Sequence, residues 1–234
     1  VSTSTRDIPL DALPGRLAPS LGWLNSGSHA YKKVDSLLRG NTFAEIAWLL
    51  QHGNFPGAIF APAFPAQGRF TFDNRQWVAK PGEEKQPVAL PLQEAFAEFG
   101  TLSGITPDHP DHGQDIWIPE VFNDTDLDRI AALFDAADRK KSLWCGSAGL
   151  AHAIARHQGM APVPATLSPP AANAGPTVLI SASFQPVFKE QWSILRTQMP
   201  KESGIAVAEH ASQVEIEAAL KQLNDGTRQA WFDL

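Results

Sequence analysis

Lys33, Asp35 and Arg39 stand two and four residues apart, with Ser36, Gly40 and Asn41 between and just after them. Together these types could hold a small, anionic, hydroxylated molecule. A guanidinium offers a planar fork that matches a carboxylate or phosphate, and an ammonium adds a compact charge. An ionised carboxylate accepts hydrogen bonds from hydroxyls. Solvated charges around an ordinary strand-to-helix turn would give the same pattern.

Such side chains need a strand, a turn and a helix to bring them together. Tyr31 to Asp35 reads as a short strand. It would place Lys33 and Asp35 on one face, and Lys32, Val34 and Ser36 on the other. Gly40 gives the turn backbone freedom. Asn41 or Thr42 can cap the helix that follows, and Thr42 with Glu45 fits a capping box. Phe43 to Gln51 is apolar at Phe43, Ile46, Ala47, Leu49 and Leu50, so that helix packs on a core. Strand ends and helix N-termini are where open α/β sheets receive anions.

Gly57 to Phe64 is an apolar run, read as a buried strand ended by Pro62 and Pro65. Gly68-Arg69 turns the chain, and Arg69 either contacts the anion or bonds loop carbonyls. Phe70–Phe72 and Gln76–Val78 flank Asp73-Asn74-Arg75 as a hairpin. Pro91 to Phe99 reads as a helix. Asp108 to Asp115 holds two His and three Asp, but Pro110 and Gly113 make it a loop, so no metal site is expected.

Ile116 to Val121 reads as a strand, followed by a helix capped at Asp124 or Thr125 and running to about Ala137. Ser142 to Cys145 is another strand. Gly146-Ser147-Ala148-Gly149 then leads into a helix ending near His157. Its glycines allow either a nest of N–H groups for an anion or a tight turn capped by Ser147. A serine nucleophile elbow is disfavoured, because Cys145 occupies the required glycine position.

Residues 161–176 are rich in Pro and Ala and read as a linker. Beyond them Thr177–Ser181, Gly204–Ala208 and Gln229–Phe232 read as strands, with helices at Lys189–Gln198 and Gln213–Leu223. The expected fold is α/β. A mostly parallel Rossmann-like sheet domain covers 1–160, and a second α/β domain starts at 177 and runs to 234.

Lys33-Val34-Asp35-Ser36-Leu37-Leu38-Arg39-Gly40-Asn41 resembles the Lys-Ile-Asp-Ser-Thr-Leu-Arg-Gly-Asn signature of the four-carbon acid sugar kinase family. Pro62 to Arg69 resembles its Pro-Ala-Phe-Pro…Gly-Arg, and Asp124 to Leu127 its Asp-x-Asp-Leu helix start. Gly146 to Ala151 resembles its Gly-Ser-Ala-Gly-Leu-Ala. The four matches occur in order and span most of the chain.

The resemblance implies a sugar-acid-binding N-terminal domain and a nucleotide-binding C-terminal domain. ATP and Mg2+ would serve to phosphorylate a hydroxyl of an acid such as threonate, erythronate or 3-oxo-tetronate. It implies substrate contacts at Arg6, Lys33, Asp35, Ser36, Arg39, Gly40, Asn41 and Arg69, with Asp35 orienting the acceptor hydroxyl. The family's Asp-Asp-Leu-Thr-Gly, which carries its candidate general base, does not occur here, nor do its glycine-rich ATP-binding segments. The chain therefore reads as the middle of a longer protein and is expected to be inactive by itself. Of the pattern that opens the family's second domain, Ser183 and Gln191 match while Ala182, Gln185 and Phe188 do not. Ser183 is the candidate nucleotide contact. The mismatches keep a second reading open, a non-catalytic small-anion-binding or interaction protein on the same fold.

Composition bounds the rest. The 234 residues are 43% hydrophobic and 19% charged, enough apolar content for a core. A net charge of −6 argues against nucleic-acid or anionic-membrane partners. The expected partners are a small sugar acid and, as an allowed arrangement, a second copy in a homodimer. Neither a membrane-span run nor a signal-peptide pattern is evident. The single cysteine, Cys145, excludes an internal disulfide and fits a reducing, cytoplasmic location.

Overall fold

The computed structural model describes residues 2–80, 82–88, 90–100, 105–106, 115–136, 139–160, 177–181, 186–197, 212–224 and 229–233. The chain divides into two compact units, Val1–Val163 and Pro164–Leu234.

In the first unit α1 (Leu13–Ser26) leads to β1 (Ala30–Lys33), α2 (Thr42–His52) and β2 (Gly57–Ala61). A small antiparallel sheet follows, made of β3 (Arg69–Phe72), β4 (Arg75–Val78) and β5 (Gln86–Pro87). Then come α3 (Leu92–Ala97), β6 (Ile105–Thr106), β7 (Asp115–Trp117), α4 (Asp124–Ala131), β8 (Leu143–Gly146) and α5 (Ala148–His157). The main sheet has the order β1-β8-β2-β7-β6, and every pair in it is parallel. This is the expected α/β architecture.

Alternation along the central strands explains why helices cover both faces. Ala58 and Phe60 point with Leu143 and Cys145 into one core, shared with Ile46, Leu50 and Phe96. Ile59 and Ala61 point with Trp144 into the other, shared with Leu127, Leu150 and Ile154. Phe60 and Trp144 are both fully buried. Burying an aromatic of this size stabilises by about 1.5–3 kcal/mol, so both faces of the sheet are anchored beside the end of β1.

Several boundaries differ from the sequence expectations. The first strand stops at Lys33, so Asp35 lies beyond it. The N-cap of α4 is Asn123, which forms a capping box with Asp126. Neither Asp124 nor Thr125 caps it, and the helix stops at Ala131. β7 ends at Trp117, well before Val121. The hairpin turn is as expected, with Asp73 and Asn74 in the left-handed region at φ 49° and 54°.

The second unit contains β9 (Thr177–Ser181), α6 (Pro186–Thr197), α7 (Gln213–Asn224) and β10 (Gln229–Asp233), with β9 and β10 parallel. The expected linker at 161–176, the strand at Gly204–Ala208, the Asp108 to Gln114 loop and Ser183 lie outside the described residues.

Candidate functional site

The residues singled out by chemistry converge at the C-terminal end of β1, although not by strand alternation. After Lys33 the chain passes through a turn in which Leu38 N–H donates to Asp35 O at 2.9 Å. Leu38 and Gly40 both sit in the left-handed region, at φ 56° and 73°. That pair of positive angles folds Arg39 back onto Asp35. The Arg39 Nε donates to Asp35 Oδ2 at 2.5 Å and one NH2 to Oδ1 at 3.3 Å. Arg6 approaches the same carboxylate, with NH2 to Oδ2 at 3.6 Å. Lys33 Nζ donates to Val34 O at 2.7 Å.

Arg6, Lys33, Asp35 and Arg39 line one cavity of about 750 Å³. Its electrostatics follow from these contacts. Burial alone would push the Asp35 carboxyl up, but hydrogen bonds from Arg39 and Leu37 N–H and the charges of Arg39 and Arg6 outweigh it. The net result lies below the ordinary carboxylate range. Burial holds Lys33 below the ordinary lysine value, against the pull of Asp35. The hydrogen bond to Asp35 raises Arg39. Among the described residues no carboxylate pairs with Lys33 at ion-pair distance. The cavity end therefore presents one ammonium without a carboxylate partner beside two arginines on Asp35, of which Arg6 also lies 4.0 Å from the exposed Asp7, an arrangement that can receive an anion.

The remaining sequence candidates take other places. Gly40 packs under Arg6, and a Cβ at Gly40 would collide with the Arg6 carbonyl. Asn41 is the N-cap of α2 by position, but its side chain makes no cap bond. Its Nδ2 instead donates to Thr5 O at 2.9 Å and Ile8 O at 2.8 Å, which holds the Arg6 segment against the site. Ser36 offers its carbonyl to Gln76 Nε2 at 2.8 Å. Arg69 donates to Gln67 O at 2.5 Å and is not among the residues lining the cavity. It has the loop-bonding role of the two that the sequence allowed.

The turn at Gly146 is tight and buried. Ser147 Oγ donates to Ala63 O at 2.6 Å and accepts from Gly149 N–H at 3.0 Å. A Cβ at 146 would meet Leu150 and Tyr31 and one at 149 would meet Ala63, so both positions require glycine, and the Gly149 N–H is taken by Ser147 Oγ. Ser147 is a helix cap.

The expected capping box at Thr42 and Glu45 does not form. Glu45 turns into the cavity and pairs with Lys32, whose Nζ also donates to Lys33 O at 3.2 Å. This buried ion pair was missed from the sequence. The helical stripe that Glu45 shares with the buried Thr42 and Leu49 signals its burial, though not its partner. Cys145, opposite Lys32 in the β1–β8 register, is fully buried and its thiol is pushed up to about 12 by that burial. The hydroxyls of Thr3 and Thr5, 2.9 Å apart, belong to residues that line the same cavity.

Comparisons with known proteins address the family and the fold. Residues 1–94 match the family described as a sugar-binding N-terminal domain. A D-threonate kinase of Cupriavidus necator is 30% identical over 200 residues, which cover 74% of this chain and 46% of that protein. Among solved structures, the putative tRNA synthase from Salmonella typhimurium LT2 superposes with a TM-score of 0.66 at 17% identity, covering 97% of this chain and 62% of that one. A domain of unknown function from Bordetella bronchiseptica, a domain-swapped dimer with bound citrate, gives a TM-score of 0.52 at 20% identity, over 99% of this chain and 61% of that one. The chain thus spans less than half the length of the Cupriavidus protein. The domain match and the D-threonate kinase similarity support the four-carbon acid sugar kinase family, through its sugar-binding N-terminal domain.

Proposed function

We propose that the full-length protein is an ATP-dependent kinase that phosphorylates a hydroxyl of a small four-carbon sugar acid of the threonate or erythronate type. In this reading residues 1–160 are the acid-binding domain, 161–176 a linker and 177–234 the opening of the nucleotide-binding domain. The observation that carries it is the convergence of Arg6, Lys33, Asp35 and Arg39 on one cavity at a strand end. The name of the Cupriavidus relative supports the substrate class.

Phosphoryl transfer asks a protein mainly to position groups and to stabilise charge. Lys33 and Arg6 hold the carboxylate of the acid, and Arg39 contributes the part of its fork not engaged with Asp35. Asp35 accepts a hydrogen bond from a substrate hydroxyl and so fixes which hydroxyl faces the nucleotide. ATP with magnesium supplies the phosphoryl group. In this reading magnesium comes with ATP from the nucleotide-binding domain. Ser183 is the nucleotide contact in this reading, and a second copy of the chain is an allowed partner.

The second reading, a non-catalytic anion-binding protein, draws on the Asp35–Arg39 pair, which is satisfied without any ligand. The two separate in one assay. The full-length protein is incubated with ATP, magnesium and either D-threonate or D-erythronate, and phosphomonoester is followed by phosphorus NMR. Acid-dependent phosphomonoester supports the kinase. Acid binding without turnover supports the second reading, and absence of acid binding overturns both.

A further inference from the structure

The peptide unit between Ser36 and Leu37 touches Asp35 on one side and the small antiparallel sheet on the other. Its N–H, that of Leu37, donates to Asp35 Oδ1 at 3.4 Å. Its C=O, that of Ser36, accepts from Gln76 Nε2 at 2.8 Å. A peptide unit is planar, so a grip on the carbonyl sets the direction of the N–H. This unit is also the central peptide of the turn that Leu38 N–H closes on Asp35 O at 2.9 Å. The orientation of the central peptide is what separates one type of such turn from another. Rotating it would carry the Leu37 N–H away from Asp35, and a bond of that length depends on its direction.

Gln76 is itself firmly held. It stands on β4, is fully buried and is not among the residues lining the cavity. A backbone carbonyl can only accept, so the amide nitrogen of Gln76 must face Ser36. The amide oxygen then accepts from Thr71 Oγ1 at 2.6 Å. Thr71 is the cross-strand partner of Gln76 on β3 and is also buried. Its backbone exchanges two bonds with Val121, N–H on Val121 O at 3.0 Å and C=O from Val121 N–H at 2.6 Å. Val121 belongs to the core that contains Trp144 and Leu127. A line of buried contacts therefore runs from that core through Thr71 and Gln76 to the Asp35 turn. Removing a buried donor from such a line leaves its acceptor unsatisfied.

We propose that Gln76 is a positioning residue of the acid site, which aims the Leu37 N–H at Asp35 through the Ser36–Leu37 peptide and so fixes how the Asp35 carboxylate faces a substrate hydroxyl. Gln76 touches neither the acid nor the nucleotide. The small antiparallel sheet gains a function in this way, as the rigid support of the turn between β1 and α2. Arg39 and Arg6 hold the same carboxylate from the cavity side, and Lys33 acts on it through its charge. The hold on Asp35 stands on these contacts alone, whereas its consequence for binding rests on the acid-site reading.

The test uses the full-length protein and Gln76→Met, which keeps the length of the side chain and removes both amide bonds. Carbon NMR without ligand reads the ionisation midpoint of the Asp35 carboxyl, and titration calorimetry reads binding of D-threonate, D-erythronate and ATP. In the variant the Asp35 midpoint should rise toward the ordinary carboxylate value, because the Leu37 N–H favours its charged form. Affinity for the acid that binds should fall roughly threefold to tenfold, with ATP affinity nearly unchanged. Thr71→Val leaves Gln76 in place but frees its amide to turn, and should move both quantities the same way by less. It carries the test if Gln76→Met does not fold. A lower thermal midpoint with the Asp35 midpoint and the acid affinity unchanged means a role in stability alone and overturns the proposal. So does exchange of the Gln76 side-chain amide in the parent as fast as that of the exposed Gln51, which needs no variant. A parent that binds neither acid removes the acid-site reading, and the Asp35 midpoint then decides the positioning by itself.

Discussion

Arg39 grips Asp35 at two points, Nε on Oδ2 at 2.5 Å and NH2 on Oδ1 at 3.3 Å, across a four-residue turn. The pair closes the loop between β1 and α2 and gives both side chains a fixed orientation at the cavity. Bidentate geometry of this kind needs the planar fork of a guanidinium, which a lysine cannot supply. The pair holds both side chains in place without a ligand, which in the proposed reading lowers the ordering cost of acid binding.

Asp35 should show this pairing in the acid limb of stability. Its folded pKa lies below the ordinary carboxylate value, through Arg39 and Arg6 acting against burial. A carboxyl depressed in this way stabilises the fold above its unfolded pKa, near 4, and loses that stabilisation as pH falls through the folded value. Asp35→Asn should thus be less stable than the parent at neutral pH and converge on it below about pH 4. Urea midpoints measured from pH 7 to pH 2.5 give the comparison. A gap that does not change with pH would mean the contact is not ionic.

Gly40 should tolerate no side chain. Its φ is 73°, and a Cβ would meet the Arg6 carbonyl. Strain of this kind costs on the order of 1–3 kcal/mol before the collision is counted. Gly40→Ala should lower the thermal midpoint and weaken acid binding through Arg6. A midpoint within experimental error of the parent would show that the turn has another accessible form.

The Lys32–Glu45 pair should behave as a unit. The two side chains are 17% and 6% exposed, so removing one leaves the other charge buried. Breaking such a pair costs roughly 3–5 kcal/mol, whereas replacing both partners with apolar residues is often neutral. Lys32→Met and Glu45→Leu should each destabilise strongly, and the double variant should recover most of the loss. Additive losses in a double-mutant cycle by chemical denaturation would refute the coupling.

The fold was legible because its signals are local. The apolar run from Gly57 and the glycine turn at Gly146 each sit on or beside a strand of the main sheet. The site was legible in part. Lys33, Asp35 and Arg39 do meet, but through the left-handed angles at Leu38 and Gly40 rather than through a shared strand face. Leucine is a poor guide to a positive φ, so that turn could not be foreseen from its residues. Thr42 and Glu45 have the short spacing of a capping box, which says nothing of a partner on another element. Lys32, the partner of Glu45, lies 13 positions away on a different element, beyond any local pattern. Asn41 matches the family's ligand signature, yet its amide nitrogen donates to the Thr5 and Ile8 carbonyls, a contact across more than 30 residues that no local pattern shows.

The most direct test of the acid site is the effect of Arg39→Ala on two ligands of the full-length protein, measured by titration calorimetry. A charge-assisted contact contributes about 1.5–3 kcal/mol. The account predicts that affinity for the four-carbon sugar acid falls roughly tenfold to a hundredfold while ATP affinity stays nearly unchanged. Arg39→Lys should recover only part of the loss, because the fork on Asp35 is gone. Equal losses for acid and ATP, or no loss for the acid, would contradict it.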